Sequence, residues 1–309
     1  MTAATVTTPD TRIAVRDHGG DGPPVLLLHG AGGNLLHWAG FAPFLVPGYR
    51  VVAVDLRGHG RSGDGAWEWE RVLDDLDAVA AQCGLGTPAV VGHSLGGMLA
   101  GAWARRHPDC PAAVSLDGHR AAETDAVHYA GLPAERLEQD LGRLRALFSA
   151  QQDAMAQPMD ADGVTALLAM QRRASAATGA DADTAVEAVR RNLDERGGRT
   201  RLRPGPETTA ALRESAEFRD SLPVFAEVTA PLLVVAATQT GPEVPAELHP
   251  LMAAFRTALL RDLDALAAAR PSLRVRRIAA DHGMLYHRPA EVAGLVTAFL
   301  REHIPSAAG

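Results

Sequence analysis

The sequence contains no lysine, so all 30 of its basic residues are arginines, and 37 acidic residues outnumber them. The formal net charge is therefore -7. Proteins that bind nucleic acid present clustered positive charge to the phosphate backbone, and an acidic balance argues against such a surface. We expect no nucleic-acid partner and no membrane partner.

Cysteine and long apolar runs are also scarce. The only cysteines, Cys83 and Cys110, make no disulfide framework and lack the spacing of metal ligands. No apolar run reaches the length of a membrane-spanning helix. The first residues, "MTAATVTTPDTR", lack the basic and apolar regions of a signal peptide. These absences predict a cytoplasmic protein without a metal site.

The composition is that of an ordinary globular protein. Hydrophobic residues make up 47% of the chain and charged residues 22%, which is the usual balance for a folded domain. A chain of 309 residues is long enough for one large α/β domain, or for a core domain that carries a smaller inserted one.

Short apolar runs alternate with helical patterns along most of the chain. Runs of Val, Leu and Ala between turn residues predict buried strands at "PPVLLLHG" (23–30), "RVVAVDLRG" (50–58), "TPAVVGHS" (87–94), "PAAVSLDG" (111–118), "APLLVVAAT" (230–238) and "LRVRRIAA" (273–280). Strands that alternate with helices form parallel sheets covered on both faces. The pattern therefore predicts an α/β protein with a doubly wound, mostly parallel sheet.

Residues 119–228 differ from the rest of the chain. They are rich in charge and in arginine, show helical periodicity, and contain no evident strand. We expect a core formed by residues 1–118 and 229–309, with residues 119–228 inserted as a helical cap.

The stretch "VVGHSLGGM" (90–98) places Ser94 between a predicted strand and a predicted helix. In a Gly-x-Ser-x-Gly turn, small residues such as Gly92 and Gly96 let neighbouring backbones approach a strained serine. The hydroxyl then projects at the carboxyl edge of the sheet, above a helix N-terminus. Ser94 is therefore a candidate nucleophile, the alternative being a serine that caps a helix in a Gly-rich turn.

Two further loops follow predicted strands. The loop "HGAGGN" (29–34) consists of small residues and can direct a backbone N–H toward the serine. We expect the Ala31 and Leu95 N–H groups to form an oxyanion hole. The loop "DLRGHGRS" (55–62) has an expected structural role, in which Asp55 and Arg57 hold loops near the site.

These motifs, together with "DHGML" (281–285), resemble the α/β-hydrolase superfamily when taken in order. The resemblance covers about residues 12–118 and 230–303 and does not cover the insertion. It implies a serine hydrolase core with a variable helical cap over the pocket.

In such a core the general base is a histidine after the last strand. His282 follows "LRVRRIAA" directly, and an imidazole can accept the proton of a serine near neutral pH and return it to a leaving group. His93 is next to Ser94 in the chain, so we expect its side chain to point away from the site.

The acid of the triad departs from the commonest pattern of the superfamily. Most relatives place an aspartate shortly after the seventh strand, where this chain has Thr240. Two replacements are available, Glu243 in the same loop and Asp117 after the sixth strand, a position that a minority of relatives use. We favour Asp117 because the sheet fixes the backbone at a strand end, whereas Glu243 lies in a loop between two prolines.

The predicted function is hydrolysis of a carboxylic ester or lactone through an acyl-enzyme intermediate, with no metal or other cofactor. Trp38, just after the Gly-rich loop, is a candidate substrate-binding residue. Dehalogenase and epoxide hydrolase branches require an aspartate nucleophile, and Ser94 argues against both. Thioester or C–C bond hydrolysis, cofactor-free peroxidase activity, and non-catalytic ligand binding remain open. We expect a small organic substrate and a monomer or homodimer.

Overall fold

An eight-stranded sheet forms the centre of the protein, whose computed structural model describes residues 2–178 and 181–304. The strands in this part of the chain are β1 (Thr2–Thr7), β2 (Arg12–Gly19), β3 (Pro24–Leu28), β4 (Arg50–Val54), β5 (Ala89–His93), β6 (Ala113–Leu116), β7 (Leu193–Arg196), β8 (Arg199–Leu202), β9 (Leu232–Ala237) and β10 (Leu273–Ile278).

Helices follow most of the strands. The α-helices are α1 (Ala42–Leu45), α2 (Trp69–Gln82), α3 (Leu95–Arg106), α4 (Ala134–Ala156), α5 (Ala161–Thr178), α6 (Ala182–Arg191), α7 (Pro206–Glu214), α8 (Ala216–Arg219), α9 (Leu222–Glu227), α10 (His249–Ala269), α11 (Met284–His287) and α12 (Pro289–His303). Short 3-10 helices occupy Leu35–Trp38, Ala126–His128 and Ala246–Leu248.

The spatial order of the large sheet is β1-β2-β4-β3-β5-β6-β9-β10. Strand β2 pairs antiparallel with β1 and β4, and every other neighbouring pair is parallel. The six predicted strands and the mostly parallel α/β architecture are thus confirmed. Strands β1 and β2 were not predicted, and β1 is mostly exposed, so it lacks the continuous apolar run of a buried strand.

Both faces of the sheet are covered, as a doubly wound fold requires. Alternate residues of β3 enter different apolar clusters, because successive side chains of a strand point to opposite faces. Leu26 and Leu28 belong to the apolar cluster that also contains residues of α2, α3 and α10, whereas Val25 and Leu27 belong to the cluster that contains residues of α1 and α12. All four side chains are fully buried.

The segment between β6 and β9 is helical with one exception. Strands β7 and β8 form an antiparallel hairpin, which contradicts the expectation that this segment contains no strand. Gly197 and Gly198 at its tip have φ of 58° and 73°, the backbone that a two-residue hairpin turn requires. The Gly-Gly pair in "DERGGRTR" is a sequence signal for that turn.

Helix α9 lies within the predicted cap range but packs on the core. Phe225 is completely buried, and a Cβ at Gly101 of α3 would lie 2.6 Å from its Cδ1 atom. Helix α9 can approach α3 this closely because Gly101 has no side chain. Residues of α9 therefore belong with the helices that cover the sheet.

The packing of α9 gives a stability prediction. We expect Gly101→Ala to lower the free energy of unfolding by ~1–3 kcal/mol, because the added methyl overpacks the contact with Phe225. Gly142→Ala is the matched control, since Gly142 lies in α4 with open space around it. It should gain up to ~1 kcal/mol from helix propensity. Urea unfolding measures both, and equal stability of the two variants would contradict this packing.

Candidate active site

Ser94 occupies a strained turn between β5 and α3. Its φ of 55° and ψ of -121° lie in a region that non-glycine residues rarely adopt. The surroundings hold it there: the Ser94 N–H donates to the Leu116 carbonyl at 2.9 Å, and the Ser94 carbonyl accepts from Gly97 and Met98 at 2.8 and 3.1 Å. These hydrogen bonds hold the Ser94 backbone in its strained conformation and so fix the direction of its side chain.

Glycines make room for this turn. A Cβ at Gly92 would collide with the Gly96 carbonyl, and a Cβ at Gly96 would collide with the Leu28 carbonyl. A Cβ at Gly30 would lie 3.0 Å from the Ser94 Cβ, so the loop after β3 is in contact with the serine. This proximity is what an oxyanion hole built from that loop needs.

The two predicted oxyanion donors are free. Within the described residues, neither the Ala31 N–H nor the Leu95 N–H has a hydrogen-bond acceptor. The Gly30 carbonyl accepts from the Gly33 N–H at 2.9 Å and from His29 Nδ1 at 2.8 Å. Because a trans peptide places its C=O and N–H on opposite sides, holding the Gly30 carbonyl also fixes the direction of the Ala31 N–H.

His29 is a neutral donor in this arrangement. The Leu56 N–H donates to its Nε2 atom at 3.0 Å, so the ring proton lies on Nδ1, which faces the Gly30 carbonyl. Burial, together with His59 nearby, lowers the pKa of His29 well below its ordinary value. The residue thus keeps one tautomer through the neutral range.

Asp117 and His282 meet at the carboxyl edge of the sheet. The Asp117 Oδ2 atom lies 2.7 Å from His282 Nδ1. The other carboxylate oxygen accepts from the Ala237 N–H at 2.8 Å and lies 3.0 Å from His119 Nε2. A φ of 50° at Asp117 marks a second strained position, directly after β6.

The pair has complementary pKa shifts. Burial by itself raises the pKa of Asp117, but hydrogen bonds from His119 and His282 hold it well below its usual range. Partial burial lowers the pKa of His282, but the hydrogen bond and charge of Asp117, together with the nearby carboxylates of Glu243 and Asp281, outweigh this effect and the pKa is raised. The carboxylate is ionised, and His282 with its proton on Nδ1 leaves Nε2 available as a base.

His119 was not predicted as a site residue. Its Nδ1 atom accepts the Arg120 N–H at 2.8 Å, so the ring proton lies on Nε2 and is donated to Asp117. The side chain is buried. The only sequence signal is its place two residues after Asp117 at a strand end.

The prediction that His93 points away from the site is wrong. Its ring lies against that of His282, with the centroids 4.8 Å apart and the planes tilted by 38°, and its Nε2–H donates to the His282 carbonyl at 2.8 Å. Burial, together with His282, lowers the pKa of His93 to about 3. A neutral His93 therefore connects the Ser94 turn to the His282 loop, although the Ser94 hydroxyl has no hydrogen-bond partner among the described residues.

The two other candidates lie elsewhere. Glu243 is exposed and is not hydrogen-bonded to His282, so of the two possible acids the structure brings Asp117 to the ring. The prediction of Trp38 as a substrate-binding residue is contradicted: its side chain has 0% exposure and packs on Phe41 in the core. From the same 3-10 helix, His37 instead lies beside Gly33 and Tyr286.

The large cavity of the structure lies away from Ser94, Asp117 and His282. A cavity of about 1060 Å³ lies between the loop at residues 64–67 and the β7–β8 hairpin, and neither Ser94, Asp117 nor His282 lines it. Across residues 2–178 and 181–304, no group of three or more His, Cys, Asp or Glu side chains is placed to hold a metal ion. No helix in the same ranges is long and apolar enough to cross a membrane.

The Asp117–His282 contact predicts how the histidines titrate. We expect His282 to titrate above the ordinary value of about 6.5, and His93 to stay neutral throughout the neutral range. Asp117→Asn should lower the pKa of His282, because the carboxylate that stabilises the imidazolium is lost. NMR of ¹⁵N-labelled histidine measures both values. Glu243→Gln is the control and should cause a smaller fall; a larger fall than in Asp117→Asn would contradict the placement of the acid.

Comparison with known proteins identifies the family. The family model of the alpha/beta hydrolase fold matches residues 23–266. A fluoroacetate dehalogenase from Burkholderia sp is 39% identical over 98 residues, which are 29% of this chain and 32% of that protein. A pimeloyl-(acyl-carrier protein) methyl ester esterase from Methylococcus capsulatus is 42% identical over 100 residues, 31% of this chain and 37% of that protein.

These alignments span about a third of each curated relative. Over the whole length, the crystal structure of E-2-(acetamidomethylene)succinate hydrolase is similar with a TM-score of 0.67, and the match covers 97% of this chain and 98% of that one. At a sequence identity of 22%, this structural similarity shows a shared fold. Together with the match of the family model, the likeness shows that this chain belongs to the alpha/beta hydrolase fold family.

Proposed function

We propose that the protein is a serine hydrolase that cleaves a carboxylic ester or a lactone. The observation that carries the proposal is the 2.7 Å contact between Asp117 and His282 beside the strained Ser94 turn. A carboxylate, an imidazole and a serine in this order are the parts of an acyl-transfer triad.

Acylation begins with proton transfer from the Ser94 Oγ to the free Nε2 of His282. The Ser94 oxygen attacks the carbonyl carbon, and the negative charge that develops on the carbonyl oxygen is stabilised by the Ala31 and Leu95 N–H groups. Each such donor is worth about 2.7–4 kcal/mol in comparable enzymes. The His282 imidazolium then protonates the leaving alkoxide, which departs as the alcohol and leaves the acyl group on Ser94.

Deacylation repeats the same steps with water. His282 accepts a proton from the water, whose oxygen attacks the acyl carbon, and then returns the proton to Ser94 as the carboxylic acid is released. In a lactone the leaving alcohol is part of the same molecule, so the product is a hydroxy acid.

Asp117 keeps His282 in the productive tautomer and stabilises the imidazolium. Three groups hold its carboxylate: the Ala237 N–H, His119 and His282 itself. Such a support prevents the carboxylate from rotating away as the ring charge changes. We assign His119 as a positioning residue that acts through Asp117.

Ser94 also separates this proposal from dehalogenation and epoxide opening. Displacement at a saturated carbon needs a carboxylate nucleophile, since the ester that forms is then hydrolysed. A serine in that role would form an ether, which His282 and water do not cleave. The inserted segment at residues 119–228, apart from α9, which packs on α3 in the core, is proposed as the cap that selects the substrate.

An active-site probe tests the nucleophile. We expect a fluorophosphonate to label Ser94, and Ser94→Ala to abolish labelling and to lower hydrolysis of p-nitrophenyl esters by ~10³ or more. Ser149→Ala is the matched control, because Ser149 is exposed on α4, and it should retain both. Full turnover by Ser94→Ala would exclude the serine mechanism.

A further inference from the structure

The chain contains only two asparagines, Asn34 and Asn192, and they are hydrogen-bonded to each other. The Asn34 Nδ2 donates to the Asn192 Oδ1 at 3.0 Å across 158 positions of sequence. Asn34 ends the loop that carries the proposed oxyanion donor Ala31, and Asn192 follows α6 in the inserted segment. Both side chains are buried.

The Asn192 amide is held on both of its atoms. Its Nδ2 donates to the Gly32 carbonyl at 2.7 Å, and its Oδ1 accepts from Asn34 and from the Gly60 N–H at 3.1 Å. Its backbone carbonyl accepts the Arg203 N–H at 2.8 Å. A buried amide with this many partners has one orientation, because turning it would leave polar groups without partners.

Neighbouring contacts hold the same end of α6. The Arg191 guanidinium lies 2.8 Å from Asp55, and Asp55 also accepts the Leu35 N–H at 2.8 Å. The Asn34 Nδ2 donates to the Ala188 carbonyl at 2.8 Å. The inserted segment is therefore held to the loop after β3 by three hydrogen bonds, two at Asn34 and one at the Gly32 carbonyl, and to Asp55 after β4 by Arg191.

A series of hydrogen bonds connects Asn192 to the peptide group that carries the Ala31 N–H. Asn192 fixes the Gly32 carbonyl, and with it the plane of the peptide that contains the Gly33 N–H. That N–H donates to the Gly30 carbonyl at 2.9 Å. The Gly30 carbonyl in turn belongs to the peptide whose N–H is that of Ala31.

We propose that Asn192 is a positioning residue that aims the Ala31 N–H into the oxyanion hole. The inference rests on the proposed serine hydrolase function. If Asn192 has this role, the geometry of the oxyanion hole depends on the packing of the inserted segment against the loop at residues 29–34. The inserted segment then contributes to the rate of acyl transfer as well as to the choice of substrate. A displacement of α6 that breaks the Asn192 contacts would release the loop and lower activity.

Two variants and a control test the role. Asn192→Ala removes every side-chain contact, whereas Asn192→Asp keeps the shape and one acceptor oxygen but faces the Gly32 carbonyl with a second oxygen. Arg196→Ala is the matched control: it removes an exposed ion pair of 2.7 Å with Asp64, also between insertion and core but away from the loop at residues 29–34.

We expect both Asn192 variants to label Ser94 with fluorophosphonate ~10–100-fold more slowly, somewhat less than the loss of a whole oxyanion donor. For an ester substrate kcat should fall with KM nearly unchanged, since the donor acts in the transition state. Amide hydrogen exchange of residues 30–36 should become faster. Arg196→Ala should stay within about twofold of the parent protein in all three measurements, as surface ion pairs contribute little.

The outcomes separate this proposal from the proposed function. Labelling and loop exchange at the parent rates in either Asn192 variant would overturn the positioning role while the serine mechanism stands. If the parent protein itself is not labelled, the proposed function fails. Hydrogen exchange then decides alone whether Asn192 holds the loop: faster exchange in Asn192→Asp supports it, and unchanged exchange overturns it.

Discussion

The hydrogen bond between Asp117 and His282 joins two chain segments that are 165 positions apart, and the parallel sheet is what brings them together. The Asp117 N–H continues the pairing of β6 with β9 by donating to the Val235 carbonyl at 2.8 Å. Ser94 is placed by the same register, through its N–H to Leu116 on β6. Because parallel strands end at one edge, Ser94, Asp117 and His282 all lie at that edge of the sheet.

Most of this arrangement could be predicted from the sequence because its signals are local. A buried parallel strand is a continuous apolar run, and the turn that follows it is visible as glycine, so both the central strands and the Gly92-Ser94-Gly96 turn were predicted. The preference for Asp117 over Glu243 used the same reasoning, since a strand end has a fixed backbone. The structure places the Asp117 carboxylate, and not Glu243, beside His282.

The rest depends on contacts between distant segments. His93 and His119 lie within two residues of predicted site residues, but the direction of each ring is decided by the His282 carbonyl and by the Asp117 carboxylate, respectively. Trp38 was predicted to bind substrate but is buried, and a single 3-10 turn gives no periodicity from which its buried face could be predicted. The bond between Asn34 and Asn192 has no local signal, because the two residues belong to separate parts of the fold.

Direct observation of the acyl-enzyme tests the central claim, that Ser94 is the nucleophile activated by His282 and Asp117. Rapid mixing with a p-nitrophenyl ester, an acid quench and mass spectrometry of the intact chain and its peptides would be used. The account predicts a burst of nitrophenol equal to the enzyme concentration and one acyl group on the peptide that contains Ser94. An acyl group on another residue, or turnover without any covalent adduct that persists undiminished in Ser94→Ala, would contradict it.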